Sequence, residues 1–176
     1  TAELPIIADL QKTLRKGEWK ITCAVYSRAP GGGNRLVSIW PGFHDKAFGL
    51  AIDVGSTTIA AHLTNLSTGE VASSAGLMNP QIRFGEDLMS RVSYVMMNPG
   101  GEKEMTAAIR AALQQLAEEV ARQAGVDLND IMEVVLVGNP VMHHLFLGID
   151  PTELGGAPFA LATGLPLTFP AREMDF

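Results

Sequence analysis

One cysteine, Cys23, is all the thiol chemistry in 176 residues. It excludes an internal disulfide, and it excludes a zinc site or iron–sulfur cluster built from several thiolates of this chain. It suits a reducing compartment, here the cytoplasm. The residue itself reads as a small buried side chain that alternates with Trp19, Ile21 and Val25 along a strand. Positive charge is also scarce. Thirteen Lys and Arg stand against nineteen Asp and Glu, for a net charge of −6, so nothing here tracks a nucleic-acid backbone. Apolar stretches such as Val134–Val137 fall far short of the roughly 20 residues that cross a bilayer, and no signal-peptide pattern is present. A Gly-Lys-Ser/Thr phosphate loop is missing, and no G-x-G-x-x-G opens a helix after a strand. There is no internal repeat and no low-complexity run.

What is present is a chain able to bury a core, with 47% hydrophobic and 18% charged residues. It starts on Thr1, and its last segment, 165–176, lacks a closing helix or strand signal, so both ends are expected to be cuts. Leu4, Ile7, Leu10 and Leu14 recur at helical spacing and predict a helix over 3–15 that Gly17 ends. Trp19 to Val25 and Leu36 to Trp40 predict a hairpin turning at 29–34. The linker-like stretch 41–46 sets a boundary near 46, between a small helix-plus-hairpin unit (1–46) and a larger one (47–176).

In the larger unit, Phe48 to Val54, Thr58 to Thr64 and Val71 to Leu77 predict three consecutive antiparallel strands. The segment 85–97 predicts a helix with Leu88, Val92, Val95 and Met96 on one face. Met105, Ile109, Leu113, Leu116 and Val120 predict a longer one over 102–124, capped by Gly125. Glu133 to Val137 then reads as a buried strand, followed by a short helix through Leu147, and the Pro- and Gly-rich tail reads as loop. The methionines, Met89, Met96, Met97, Met105 and Met142 among them, read as adaptable core filler.

The candidate chemistry sits between the first two of those strands, at Asp53-Val54-Gly55-Ser56-Thr57-Thr58. Asp53 ends an apolar strand, where a carboxylate is expensive to bury without a metal, its waters or hydrogen-bond donors. Gly55 lets the backbone turn so that successive amides can point into one concavity and cradle phosphate oxygens. The hydroxyls of Ser56, Thr57 and Thr58 reach the same oxygens. A carboxylate beside a phosphate cradle implies Mg²⁺ between them, held by Asp53 largely through water. The plain alternative is an ordinary Asp-Val-Gly turn with Ser and Thr serving local hydrogen bonds.

This hexapeptide, set between antiparallel strands and followed by a third strand and helices, resembles the first half of the sugar-kinase, heat-shock-chaperone and actin superfamily. The segments Met78–Arg91, Val137–His144, Leu147–Pro151 and Ala157–Phe159 narrow the likeness. Together they resemble the reductive activators of corrinoid proteins, with the similarity running from about 46 to 160 and residues 1–45 resembling that family's small middle domain.

The resemblance implies an α/β fold, an actin-like (ribonuclease H-like) ATPase half-domain with a mixed sheet, preceded by a small α+β unit. It implies ATP and Mg²⁺ as cofactors, and ATP-driven one-electron reduction of cob(II)alamin to cob(I)alamin in a partner corrinoid protein. Electrons would come from a two-iron two-sulfur domain that one cysteine cannot supply. A homodimer is left open. No second Asp-x-Gly loop follows residue 58, so the fragment alone is expected to bind ATP weakly or not at all.

Other residues carry weaker expectations. In the family match Arg83, Glu86, Asp87 and Arg91 sit in a segment facing the nucleotide cleft. Arg83 and Glu86 are candidate nucleotide contacts, while Asp87 and Arg91 also read as a solvated i,i+4 pair. Asn79 and Gln81 suit turn chemistry beside Pro80. Gly138 and Asn139 end a strand where open sheets bind ligands, so Gly138 joins the cofactor site and Asn139 positions a water or phosphate oxygen. His143 and His144 point about 100° apart on a helix and read as packing or capping. His44 and His62 receive no role. Two rivals are kept: a small-molecule kinase of the same superfamily, and a non-catalytic actin-like assembly module.

Overall fold

The structure is a computed structural model that describes residue 2, residues 4–27 and residues 33–174. The turn expected at 29–34 lies mostly outside these residues. Helix α1, Leu4–Lys16, lies along strand β2. Its half-buried side is Ile6, Leu10, Thr13 and Leu14, whereas Leu4 and Ile7 of the expected face are exposed. The chain then reverses tightly. Trp19 donates to the Leu14 carbonyl at 2.7 Å, and a Cβ on Gly17 would stand 2.1 Å from the Lys20 carbonyl oxygen.

Strands β1, Ile21–Ser27, and β2, Asn34–Pro41, pair antiparallel with an irregularity at Ala24 and Val25. Cys23 is exposed, not buried, and so are Trp19 and Val25. The inward face carries Thr22, because its hydroxyl is used there: it donates to the Gly42 carbonyl at 2.8 Å and accepts from the His44 N–H at 3.0 Å. His44 also stacks on Trp40, with centroids 4.3 Å apart, and sets Nε2 2.8 Å from Oδ1 of buried Asp130. A histidine without a pattern in the sequence thus joins the hairpin unit to the larger one.

The larger sheet runs β5–β4–β3–β6, with β3 Phe48–Val54, β4 Thr58–Asn65, β5 Val71–Met78 and β6 Ile131–Gly138. β3, β4 and β5 form the expected antiparallel meander, and β6 joins β3 in parallel. The result is the mixed α/β architecture that the sequence predicts. Strand alternation puts Phe48, Leu50, Ile52, Val54, Ile59, Ala61 and Leu63 on one face, beneath the helices.

Helix α3, Gly101–Ala124, covers that face with Met105, Ile109, Leu113, Leu116 and Val120, each at most 2% exposed. Burial of each such side chain contributes about 1.5–3 kcal/mol. Gly125 ends the helix in the left-handed conformation at φ 64°, and its N–H caps the carbonyls of Ala121 and Arg122. Helix α2, Leu88–Met97, and helix α4, Pro140–Leu147, complete the layer.

Three expectations are corrected. Glu133–Val137 is not a buried strand: β6 lies at the sheet edge, with Val135 and Val137 about half exposed on the face the helices leave open. Val92 and Val95 of α2 are buried but Met96 is not, and residues 85–87 precede the helix. Met105 and Met142 fill the core, whereas Met78, Met89, Met96 and Met97 are exposed. Among the described residues no helix is long and apolar enough to cross a membrane.

Candidate functional site

β3 and β6 end side by side, with Val54 opposite Gly138. Beyond Val54 the chain turns through Gly55, Ser56 and Thr57 into β4 at Thr58. A Cβ on Gly55 would lie 2.5 Å from the Thr58 carbonyl oxygen, so this close approach requires glycine.

Three consecutive carbonyls of the turn are held from one flank. Nδ2 of Asn79 donates to the Gly55 carbonyl at 2.8 Å, a guanidinium nitrogen of Arg91 donates to that of Ser56, and the Asn79 N–H donates to that of Thr57 at 2.8 Å. A trans peptide sets its C=O and the following N–H antiparallel. The N–H groups of Ser56, Thr57 and Thr58 therefore point away from that flank. A run of amides turned to one side is the kind of arrangement that can receive an anion.

Asp53 stands at the end of β3 between Ala60 and Val137 in the register. Its neighbours Ile52 and Val54 enter the core, so alternation places Asp53 on the opposite, open face, and it is exposed. The cost of burying an unpartnered carboxylate therefore does not arise, and solvent reaches the Asp53 carboxylate. Among the described residues no three His, Cys, Asp or Glu side chains gather as a metal cluster. A cation here has one carboxylate from the protein, which suits Mg²⁺ carried by a phosphate chain and keeping most of its water.

The flank itself is buried. Asn79, Gln81 and Arg91 are each 0% exposed. Asn79 caps the 3₁₀ turn Pro80–Phe84 by accepting from the Gln81 N–H at 2.9 Å. It therefore performs the expected turn chemistry and anchors the hairpin as well. Gln81 donates to the Met105 carbonyl at 3.1 Å and accepts from Arg91 at 3.3 Å. Arg91 further donates to the Gly85 carbonyl at 3.0 Å and points a second nitrogen at the Met142 sulfur, 3.1 Å away. Burial pushes its pKa down and the Asp87 carboxylate pushes it back up.

The solvated Asp87–Arg91 pair of the sequence reading is thus replaced. Asp87 instead caps α2, accepting from the Ser90 N–H at 2.7 Å and its hydroxyl at 2.9 Å, and these bonds hold its carboxyl below the usual range.

Gly138 closes the site's other side. A Cβ there would lie 3.1 Å from the Val54 carbonyl oxygen and 3.4 Å from the Met142 Cβ. Asn139 caps α4 by accepting from the Met142 N–H at 3.0 Å, which leaves its Nδ2 as the group to offer a ligand. Asp53, Gly55, Ser56, Thr57, Thr58, Gly138 and Asn139 are therefore gathered at the ends of two parallel strands.

Arg83 and Glu86 bracket Phe84-Gly85, and the Gly85 carbonyl accepts from Arg91. Arg83 and Glu86 are both exposed, and the Arg83 guanidinium lies 4.6 Å from the Phe84 ring centroid. His144 is buried; its Nε2 accepts from the Ala162 N–H at 3.1 Å and its Nδ1 bonds the Pro140 carbonyl at 2.8 Å. The packing role expected of it therefore holds, and no ring nitrogen is left for a metal. The sequence places Arg91 in a cleft-facing segment and Met142 in the core, but not the buried contact of Arg91 with the turn and the Met142 sulfur. The signal for Arg91 was Asp87-x-x-Ser90, a helix-start pattern that takes Asp87 out of the pairing.

The family model described as the RACo linker region matches residues 1–46, and the one described as the RACo middle region matches residues 48–176. The corrinoid activation enzyme RamQ of Eubacterium limosum is 33% identical over 129 residues, which cover 72% of this chain and 22% of that protein. A solved structure described as a reductive activator for corrinoid, iron-sulfur protein superposes with a TM-score of 0.85 at 34% identity. That alignment covers 99% of this chain and 28% of the other. The chain spans less than a third of the length of either relative. Matched along nearly its whole length by these two regions, the chain belongs to the RACo family.

Proposed function

We propose that this chain is the linker unit and the first half of the nucleotide domain of an ATP-dependent reductive activator, with an actin-like (ribonuclease H-like) fold and a boundary near residue 46. The observation that carries the nucleotide reading is the turn whose three carbonyls are held from the Asn79–Arg91 flank, which frees the amides of Ser56, Thr57 and Thr58 for phosphate oxygens. Gly55 permits that approach, and the hydroxyls of the three residues add donors. Mg²⁺ supplies charge neutralisation along the phosphate chain, and Asp53 holds its hydration water. Nδ2 of Asn139, on the far side of Gly138, orients a water or phosphate oxygen. Arg83 and Glu86 act only if the rest of the domain folds over their exposed surface.

A corrinoid activation enzyme and a reductive activator for corrinoid, iron-sulfur protein among the relatives support a corrinoid protein as the substrate, and the proposed reaction returns its cob(II)alamin to cob(I)alamin. ATP hydrolysis to ADP and phosphate supplies the driving force, and one electron reduces the cobalt. Four thiolates hold a two-iron two-sulfur cluster, so the lone, exposed Cys23 does not fit one, and no electron-transfer step is assigned to this chain. The cytoplasm, where such a cofactor stays reducible, is the proposed compartment.

The test uses the full-length protein with a corrinoid protein and a chemical reductant, following the cob(I)alamin absorbance. Activation should require both ATP and Mg²⁺, and Asp53→Asn should remove most of it. Activation at the same rate without nucleotide would overturn the proposal.

A further inference from the structure

Arg91 is a fully buried cation, and among the described residues no carboxylate forms an ion pair with it. The nearest acid, Asp87, bonds the Ser90 N–H and hydroxyl and reaches Arg91 only through space. Arg91 is instead surrounded by neutral acceptors: the carbonyls of Ser56 and Gly85, the Gln81 side-chain oxygen and the Met142 sulfur. Burying a guanidinium with no carboxylate in contact is costly, and a hydrophobic side chain would fill the same volume more cheaply. The cost makes physical sense if an anion on the other side of the turn repays it.

The geometry supplies that arrangement. The Ser56 carbonyl faces Arg91, so the Thr57 N–H of the same peptide faces the open side. A cation on the carbonyl end polarises the peptide and strengthens its N–H as a donor. Arg91 is shielded from solvent, so its field is poorly screened toward a ligand one peptide away.

We propose that Arg91 is a positioning residue that aims the phosphate turn and supplies, through the Ser56–Thr57 peptide, the buried positive charge a bound polyphosphate sees. It touches no ligand. Met142 links the same cation to the start of α4, so the turn and the Gly138–Asn139 side are held in one register. The inference rests on the nucleotide reading above and adds to it the source of the site's charge.

Calorimetry on the full-length protein tests it with MgATP and with tripolyphosphate as probes. Gln81→Glu leaves Arg91 in place but sets a carboxylate against its nitrogen, whereas Gln81→Met removes the same hydrogen bond without adding charge; both lose the donor to the Met105 carbonyl alike, so the charge is what separates them. Arg91→Gln removes the cation. The expected result is that Q81E and R91Q weaken both ligands by about tenfold or more, as loss of a charge-assisted contact does, while Q81M stays close to wild type.

Unchanged binding by Q81E would overturn the proposal. So would equal weakening by Q81M and Q81E, or unfolding of both R91Q and Q81E while Q81M stays folded, since those results make the role structural. Wild-type protein that bound neither probe would remove the nucleotide reading itself, a different failure from wild-type binding that Q81E leaves intact.

Discussion

Asn79 donates its side-chain Nδ2 to the Gly55 carbonyl at 2.8 Å across 24 positions of sequence. Its backbone N–H takes the Thr57 carbonyl of the same turn. One buried residue just past β5 therefore fixes both ends of the turn between β3 and β4. Asn79→Ala should cost about 1–3 kcal/mol, the penalty for leaving a buried acceptor unpaired. Asn79→Asp should cost more, because a carboxylate oxygen then faces that carbonyl. Urea unfolding of the chain checks the order, and equal stability of the two variants would contradict it.

Gly55 tests the turn from inside. An added Cβ stands 2.5 Å from the Thr58 carbonyl oxygen, so the backbone must move where the amides are aimed. Gly55→Ala should leave the core and the circular dichroism of the chain near wild type. In the full-length protein it should weaken ATP by about tenfold or more, a misplacement effect. Wild-type ATP affinity in that variant would show that the turn does not bind phosphate.

His144 ties the irregular tail to α4. The Ala162 N–H can only donate, so Nε2 of His144 must carry the lone pair and Nδ1 must carry the proton given to the Pro140 carbonyl. His144→Ala should leave both partners unpaired and cost about 1–3 kcal/mol. Hydrogen exchange at Ala162 is the specific readout: slow in the native chain, fast in the variant. Unchanged protection would contradict the tie.

His143 gives a pH dependence. Burial, and then the neighbouring His144, hold its pKa below the ordinary 6.5. The unfolded chain therefore takes up this proton at higher pH than the folded one, so stability falls as pH drops through 6.5 and levels off below the folded pKa. His143→Gln should reduce the loss of melting temperature on acidification. A steeper loss in the variant would reverse the sign.

Much of this fold can be read from the sequence because its signals are local. Period-two apolar positions mark β3 and β4, the four-and-three spacing from Met105 to Val120 marks α3, and Gly125 marks its end. Asn79-Pro80 and Asn139-Pro140 each start a helical turn with asparagine as cap and proline at the first position, a pattern also visible in the sequence.

What stayed hidden depends on contacts across the chain. Arg91 looks like the solvated end of an i,i+4 pair until the turn at Ser56, 35 positions away, claims its guanidinium. Cys23 and Thr22 exchange their expected faces because Gly42 and His44 need the Thr22 hydroxyl. Asp53 is exposed because all three helices of the larger unit cover one face of the sheet, an arrangement that strand composition does not encode.

The most direct test of the proposed nucleotide site is the Mg²⁺ dependence of ATP affinity in the full-length protein, measured by calorimetry for wild type and Asp53→Asn. With Asp53 holding the hydrated cation beside the turn, wild type should bind ATP more tightly when Mg²⁺ is added, and D53N should lose that gain while its binding without metal is not weakened. An equal Mg²⁺ gain in both proteins would contradict the account.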